Sequence, residues 1–171
     1  MIQGMKVSTK KIAITGMLGA FSVALSMTPI GYIPIPFFVG VEATTMHIPV
    51  IIGAILGGPV VGTVVGLIFG VSSFLRAGTP FFADPLVSIF PRLFIGVISY
   101  YSYKTFKYPV VASIAGTLTN TIGVLSMIYL RGYLPLAAVV GVAGLNGTAE
   151  VIISSIIIYI VMKALKNYKV D

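Results

Sequence analysis

Residues 43–75 read ATTMHIPVIIGAILGGPVVGTVVGLIFGVSSFL, a run without a charged side chain. In its middle, Gly57-Gly58-Pro59 is a strong signal for one helix to stop and the next to start. The run therefore predicts two helices, over 43–57 and 59–76. Twelve residues from Thr45 to Leu56 would rise only about 18 Å. The first helix must then begin earlier, or leave its outer end inside a cavity.

The composition of the whole chain places these helices in a membrane. Of its 171 residues, 57% are apolar and only 9% are charged, and the mean hydropathy is +1.07. A soluble domain of average composition carries roughly 25% charged residues. The sequence therefore predicts an integral membrane protein. Because the sequence has no cysteine, disulfides and thiolate metal sites are excluded.

Six stretches are long or apolar enough to be membrane spans, since a spanning helix needs about 20 residues. The predicted helices cover residues 10–28, 43–57, 59–76, 85–103, 108–130 and 135–165. They occupy nearly all of residues 1–171. We therefore expect a single membrane domain, an all-α bundle of six transmembrane helices.

The basic residues predict the orientation of this bundle. All eight lysines fall on one side if the amino terminus is cytoplasmic: Lys6, Lys10, Lys11, Lys104, Lys107, Lys163, Lys166 and Lys169. The three arginines, Arg76, Arg92 and Arg131, then lie at or within the outer half. Basic residues are enriched in cytoplasmic loops, so both termini are predicted to be cytoplasmic. The net charge of +7 is explained by this orientation and does not indicate nucleic-acid binding.

Small residues recur at four-residue spacing on two helices, where they permit close helix packing. Helix 3 carries Gly58, Gly62, Gly66 and Gly70, and helix 1 carries Gly16, Ala20 and Ala24. The ladder on helix 3 favours packing inside the bundle. The stripe on helix 1 leaves two interpretations open: internal packing, or a surface that docks the helices of a partner protein.

Five polar side chains from four helices lie between the outer surface and the middle of the membrane: His47, Arg92, Asn120, Asn146 and Glu150. Charged residues at such depth are costly and usually face a cavity, a partner or a substrate. We interpret them as one pocket for a polar organic molecule, open to the outside. The alternatives are an internal Arg92–Glu150 ion pair that braces the bundle, and a His47 that is simply packed in the core.

Two outer loops each contain Pro-Phe-Phe, at residues 36–38 and 80–82. Such stiffened apolar segments form either an interfacial belt or a lid over a pocket. On the lid interpretation, Phe37 and Phe81 cover the bound molecule. The sequence predicts no catalytic residues and no metal site: it contains no HExxH, and no phosphate-binding loop for ATP hydrolysis.

Several of these features together resemble a known family. They are the run from Thr45 to Pro59, the glycines that continue it, the segment from Asp84 to Arg92, and Ala20-Phe21-Ser22-Val23-Ala24, which matches an A-x-x-x-A pattern. With six helices in a short chain, they are similar to the substrate-binding S component of an energy-coupling factor (ECF) vitamin transporter. The resemblance is strongest to the pantothenate-specific branch.

The resemblance implies a multi-pass protein of a prokaryotic plasma membrane that captures a vitamin outside and delivers it to the cytoplasm. It implies two kinds of partner, a transmembrane T component and two ATPase subunits, and no cofactor. Pantothenate is the expected vitamin, with riboflavin, folate and cobalamin as alternatives. A different class also stays open: an autonomous secondary transporter with Glu150 as a proton site, or a pore-forming bundle.

Overall fold

A computed structural model describes residues 8–34 and 42–165, which are mostly helical. The helices are α1 (Thr9–Ser26), α2 (His47–Gly57), α3 (Pro59–Arg76), α4 (Pro85–Ser88), α5 (Phe90–Phe106), α6 (Pro109–Leu130) and α7 (Leu136–Ala164). A 3₁₀ turn covers Pro80–Ala83, and two short strands, β1 (Tyr32–Pro34) and β2 (Glu42–Thr44), pair antiparallel.

Four helices in the described part of the chain are long and apolar enough to cross a membrane. They are α3, α6, α7 and the segment Pro85–Phe106, which contains α4 and α5. Helix α2 is apolar but has only 11 residues, a rise of about 16 Å, and α1 carries two lysines in its first turn. Large apolar side chains such as Ile122, Ile156 and Ile160 point outward, as expected for lipid-facing helices. These are the features of an α-helical membrane protein.

The β1–β2 ribbon differs from the helix expected to begin at residue 43. Thr44 pairs with Tyr32 across the ribbon, and the Thr45 N–H donates to the Gly31 carbonyl. These backbone groups are therefore not available to a helix. Helix α2 begins at His47 instead, with Pro49 in its first turn, where a missing N–H breaks no helical hydrogen bond.

The helix expected over 85–103 is interrupted at Ile89. Pro91 explains the break, because it has no N–H to donate to the carbonyl four residues earlier, that of Val87. The side chain of Arg92 donates its Nη1 to this same carbonyl. The proline thus creates an unpaired acceptor, and the neighbouring arginine satisfies it.

Glycines on α3 bring its backbone against α5. A Cβ on Gly62 would lie 2.8 Å from the Cα of Gly96, and one on Gly70 would lie 2.9 Å from the Cα of Ile89. A Cβ on Gly66 would collide with the Arg92 carbonyl. The ladder therefore packs inside the bundle. Its first member, Gly58, has φ +92° and serves the turn between α2 and α3.

One face of helix α1 is buried and another is exposed. Ile14, Gly19 and Ser22 are buried against the bundle, and a Cβ on Gly19 would lie 2.6 Å from the Cδ1 of Ile68 on α3. The stripe of Gly16, Ala20 and Ala24 is exposed. Apart from the adjoining backbone of α1 itself, no atom of the described residues lies within 4 Å of a Cβ placed on Gly16. The exposed stripe is therefore not part of the packing between α1 and the described bundle.

Gly66→Ala is expected to destabilise the fold by about 1–3 kcal/mol, since the added methyl group forces α3 away from the Arg92 carbonyl. Gly16→Ala is the matched control. It should leave the free energy of unfolding unchanged or slightly raise it, because the added methyl group meets no neighbour in the described structure and alanine favours helix. Unfolding of both variants in detergent measures the difference. Equal stabilities would contradict the packing contact.

Candidate functional site

A cavity of about 50 Å³ lies where the β1–β2 ribbon, the 3₁₀ turn and helices α5, α6 and α7 meet. Its lining residues are Tyr32, Thr44, Phe81, Phe82, Arg92, Asn120, Thr121, Val124, Leu125, Ile128, Leu134, Asn146 and Glu150. Five of these were singled out from the sequence: Phe81, Arg92, Asn120, Asn146 and Glu150. The fold therefore brings them around one space.

Arg92 is the only cation among these lining residues, and only 2% of it is exposed. Its guanidinium lies between two aromatic rings, 5.2 Å from the centroid of Phe69 and 5.5 Å from that of Phe82. Nη1 donates to the Val87 carbonyl, and Nε has no hydrogen-bond partner in the described structure. The site thus holds a buried positive charge, and its Nε–H is available as a hydrogen-bond donor.

Glu150 is held by different partners. One carboxylate oxygen accepts from the backbone N–H of Thr44 at 2.6 Å, and the other accepts from Thr121 Oγ1 at 2.9 Å. The carboxylate therefore ties α7 to β2 and α6. Within the described residues Arg92 and Glu150 form no direct ion pair, so the expected alternative of a bracing pair is not observed.

Two amide side chains complete the polar part of the cavity. Asn120 on α6 and Asn146 on α7 are both buried, and Asn146 lies one turn before Glu150. The Oδ1 of Asn120 has no hydrogen-bond partner in the described structure. Since buried polar groups are normally paired, this oxygen is an acceptor available to a ligand.

His47 does not line this cavity, contrary to the expectation from the sequence. It faces a second, smaller chamber of about 10 Å³, which lies on another side of Glu150 and also contacts Thr44, Thr45 and Ser154. The β1–β2 ribbon explains this difference. Strand β2 contributes Thr44 to the cavity, and His47 lies three residues further on, at the start of α2. Phe37 lies outside the described residues.

The 3₁₀ turn contributes Phe81 and Phe82 to the lining of the cavity. Ser88 Oγ donates to the Phe82 carbonyl, and the Phe81 ring packs 6.3 Å from that of Tyr133. Asp84 closes the turn, because its carboxylate accepts from the Leu86 N–H at 2.9 Å and from Arg131 Nε at 2.7 Å. The Leu86 N–H, and then Arg131, lower the pKa of Asp84 from its ordinary value.

Comparison with known proteins decides the family. The model of the family "ECF transporter, substrate-specific component" matches residues 10–162. The chain belongs to this family. It is also 31% identical to the pantothenic acid transporter PanT of Lactococcus lactis subsp. cremoris, in an alignment that covers 73% of this chain and 78% of PanT. The predicted resemblance is confirmed: the chain is a substrate-binding component of a transporter, in a family that is not enzymatic.

Sequence reasoning missed several lining residues of this S component. Thr121, Val124, Leu125 and Ile128 share the helical face of Asn120 and could have been found by projecting α6 from that residue. Phe82 is the neighbour of the predicted Phe81. Tyr32 and Thr44 carried no signal, because they reach the cavity only through the ribbon.

Asp84→Ala is expected to lower the melting temperature more than Arg131→Ala does. Alanine removes both the cap of α4 and the ion pair, whereas Arg131, which is 51% exposed, contributes only the pair. Asp84→Asn keeps a capping side chain and should behave like Arg131→Ala at neutral pH. Because the folded-state pKa of Asp84 is lowered, the stability that its charge adds is present at neutral pH and lost in acid.

Thermal unfolding of the three variants at neutral pH and in acid tests this order. The difference between Asp84→Asn and the unchanged chain should disappear as the pH falls below the usual range of carboxyl groups. If Asp84→Ala is no less stable than Arg131→Ala, the carboxylate does not organise the turn.

Proposed function

We propose that this S component captures pantothenate outside the cell and delivers it to the cytoplasm with an ATP-driven partner module. The observation that carries the proposal is the buried guanidinium of Arg92, which contacts no carboxylate among the described residues. A buried charge is costly unless it is paired. The carboxylate of a vitamin is the group that would pair with it, at the strength of a charge-assisted hydrogen bond.

The rest of the cavity matches the rest of pantothenate. Asn120, Asn146 and Glu150 offer amide and carboxylate groups for its amide and two hydroxyls. Another part of the lining is apolar, formed by Val124, Leu125 and Ile128 with Phe81 from the 3₁₀ turn. This part suits the dimethyl portion of the molecule. The likeness to the pantothenic acid transporter PanT supports the same ligand.

The cavity must enlarge to admit a vitamin. Its volume of about 50 Å³ is well below the roughly 300–1,000 Å³ of small-molecule sites. We assign the movement to the 3₁₀ turn, because Phe81 and Phe82 are only half-buried and their anchor, Arg131 on Asp84, is largely exposed. Phe37 is proposed to belong to the second lid.

The partners follow from the surface of α1 and from the family. The exposed stripe of Gly16, Ala20 and Ala24 is a smooth strip against which another helix can pack closely. We propose that a transmembrane T component docks here and that two ATPase subunits drive the cycle. The proposal includes six crossings with both termini cytoplasmic, in the plasma membrane of a prokaryote.

Calorimetric titration of the purified chain tests the ligand. We expect pantothenate to bind and riboflavin, folate, thiamine, niacin and cobalamin not to bind. Tight binding of one of the others, with none for pantothenate, would overturn the ligand. Failure of all six to bind would overturn the capture function itself.

The same titration tests the role of Arg92. Arg92→Gln keeps a polar side chain with N–H donors and removes the charge, so pantothenate should bind more than tenfold more weakly, a loss of at least about 1.4 kcal/mol. Pantothenol, in which an alcohol replaces the carboxylate, is the matched ligand, and its affinity should change little. Adding Glu150→Ala should not restore pantothenate binding, because the two residues are not paired. Restoration would show that Arg92 serves the fold.

Ala20→Trp is expected to leave pantothenate binding intact and to abolish uptake by cells that contain the partner subunits. The indole would project from the exposed stripe and block a close helix contact. Gly19→Trp on the opposite face is the contrasting variant, and it should unfold the chain against Ile68. Loss of binding in Ala20→Trp would place the stripe in the internal core.

A further inference from the structure

The chamber beside Glu150 contains polar groups that the proposed function does not use, set among the aliphatic residues Ile33, Ala43, Ile48 and Ile153. His47, Thr44, Thr45 and Ser154 line it together with Glu150. At about 10 Å³ it is the size of a single water molecule. His47 is only 1% exposed, and neither nitrogen of its ring has a hydrogen-bond partner of good geometry in the described structure. A buried imidazole without a well-formed hydrogen bond therefore lines the same chamber as Glu150.

The charges around the cavity nearly cancel before any ligand arrives. Among the described side chains, α5 contributes the cation Arg92, α7 the anion Glu150, α2 the neutral His47 and β1 the neutral Tyr32. Helix α6 and the 3₁₀ turn contribute no titratable group to the lining. Nearby, Asp84 and Arg131 pair with each other, and Arg76 lies 3.8 Å over the ring of Tyr32. The buried lining is thus close to neutral with Glu150 ionised.

An anionic vitamin changes this balance by one negative charge. Its carboxylate can be neutralised by Arg92, but Glu150 then stays buried as an anion without a cation in the cavity. Such a charge is strongly unfavourable in a dry interior. Uptake of one proton from solvent by Glu150 or His47 restores neutrality.

We propose that this S component binds one proton with each anionic vitamin, and that Glu150 and His47 together form the proton site. The inference rests on the proposed function, since it requires an anionic ligand. The hydrogen bonds at Glu150 are compatible with either charge state: Thr121 donates its hydroxyl to the carboxylate and can accept from the carboxylic acid after rotation. A water molecule in the chamber would connect the carboxyl group to the imidazole.

Titration calorimetry with pantothenate in buffers of different ionisation enthalpy counts the protons. The series is run at pH values from 6 to 9 with the full chain. We expect uptake to approach one proton per ligand at the alkaline end, where the Kd should rise by up to tenfold per pH unit. Pantothenol carries no charge, so its binding should take up no proton at any pH.

Variants separate the two members of the proton site. Glu150→Gln removes the titratable carboxyl group, so the pantothenate that it still binds should be bound without proton uptake if Glu150 is the acceptor. His47→Gln should do so if the imidazole is the acceptor. Asp84→Asn is the control: it removes a carboxylate outside the cavity and should leave the proton count unchanged.

The outcomes are distinct. Pantothenate binding with no proton uptake across the whole pH range would overturn the proton site and leave the transport proposal intact. Uptake of one proton that persists in the Glu150→Gln/His47→Gln double variant, or that occurs equally with pantothenol, would overturn it as well. If the unchanged chain binds no pantothenate, the proposed ligand and this inference fail together. The buffer series on the unchanged chain decides the question even if a variant does not fold.

Discussion

The close contact between α3 and α5 fixes the site. Gly66 faces the Arg92 carbonyl and Gly62 meets Gly96, so the two backbones approach as closely as helices can. This contact holds the first turn of α5, with Pro91 and Arg92, at one position in the bundle. Pro91 in turn releases the Val87 carbonyl, which holds the Arg92 side chain. Glycine packing and one proline thus bury a cation at the wall of the cavity.

Buried polar side chains between α6 and α7 differ in whether they are paired. Between α6 and α7, Ser154 Oγ lies 3.1 Å from Ser113 Oγ and 2.9 Å from Thr117 Oγ1, so these buried hydroxyls satisfy one another. Further along α6 in the same interface, Asn120 Oδ1 has no partner in the described structure. A buried group without a partner is unfavourable, and retaining one makes sense where a ligand completes it. The hydroxyls around Ser154 therefore join the two helices, whereas Asn120 Oδ1 is left as an acceptor for the proposed ligand.

Local patterns in the sequence predicted most of the helices and several cavity residues, because hydropathy and helix-stop signals depend on neighbours along the chain. The stop at Gly57-Gly58-Pro59 falls between α2 and α3. A polar residue inside an apolar stretch is also a local signal, and it identified Arg92, Asn120, Asn146 and Glu150. The ribbon could not be predicted in this way, since the pairing of Tyr32 with Thr44 and the bond from Thr44 to Glu150 join residues far apart in sequence. The prediction that His47 lines the cavity was wrong for the same reason.

Stripes of small residues have opposite consequences on α1 and α3, although the spacing is the same. On α3 the stripe lies against the α5 backbone, so an added methyl group meets a carbonyl. On α1 a different face, with Gly19, meets α3, and the stripe of Gly16, Ala20 and Ala24 is left exposed. Spacing therefore establishes that close packing is possible, and only the neighbouring element determines whether it is used within the chain. The stripe left uncovered on α1 is therefore the one available to the membrane partner that we propose.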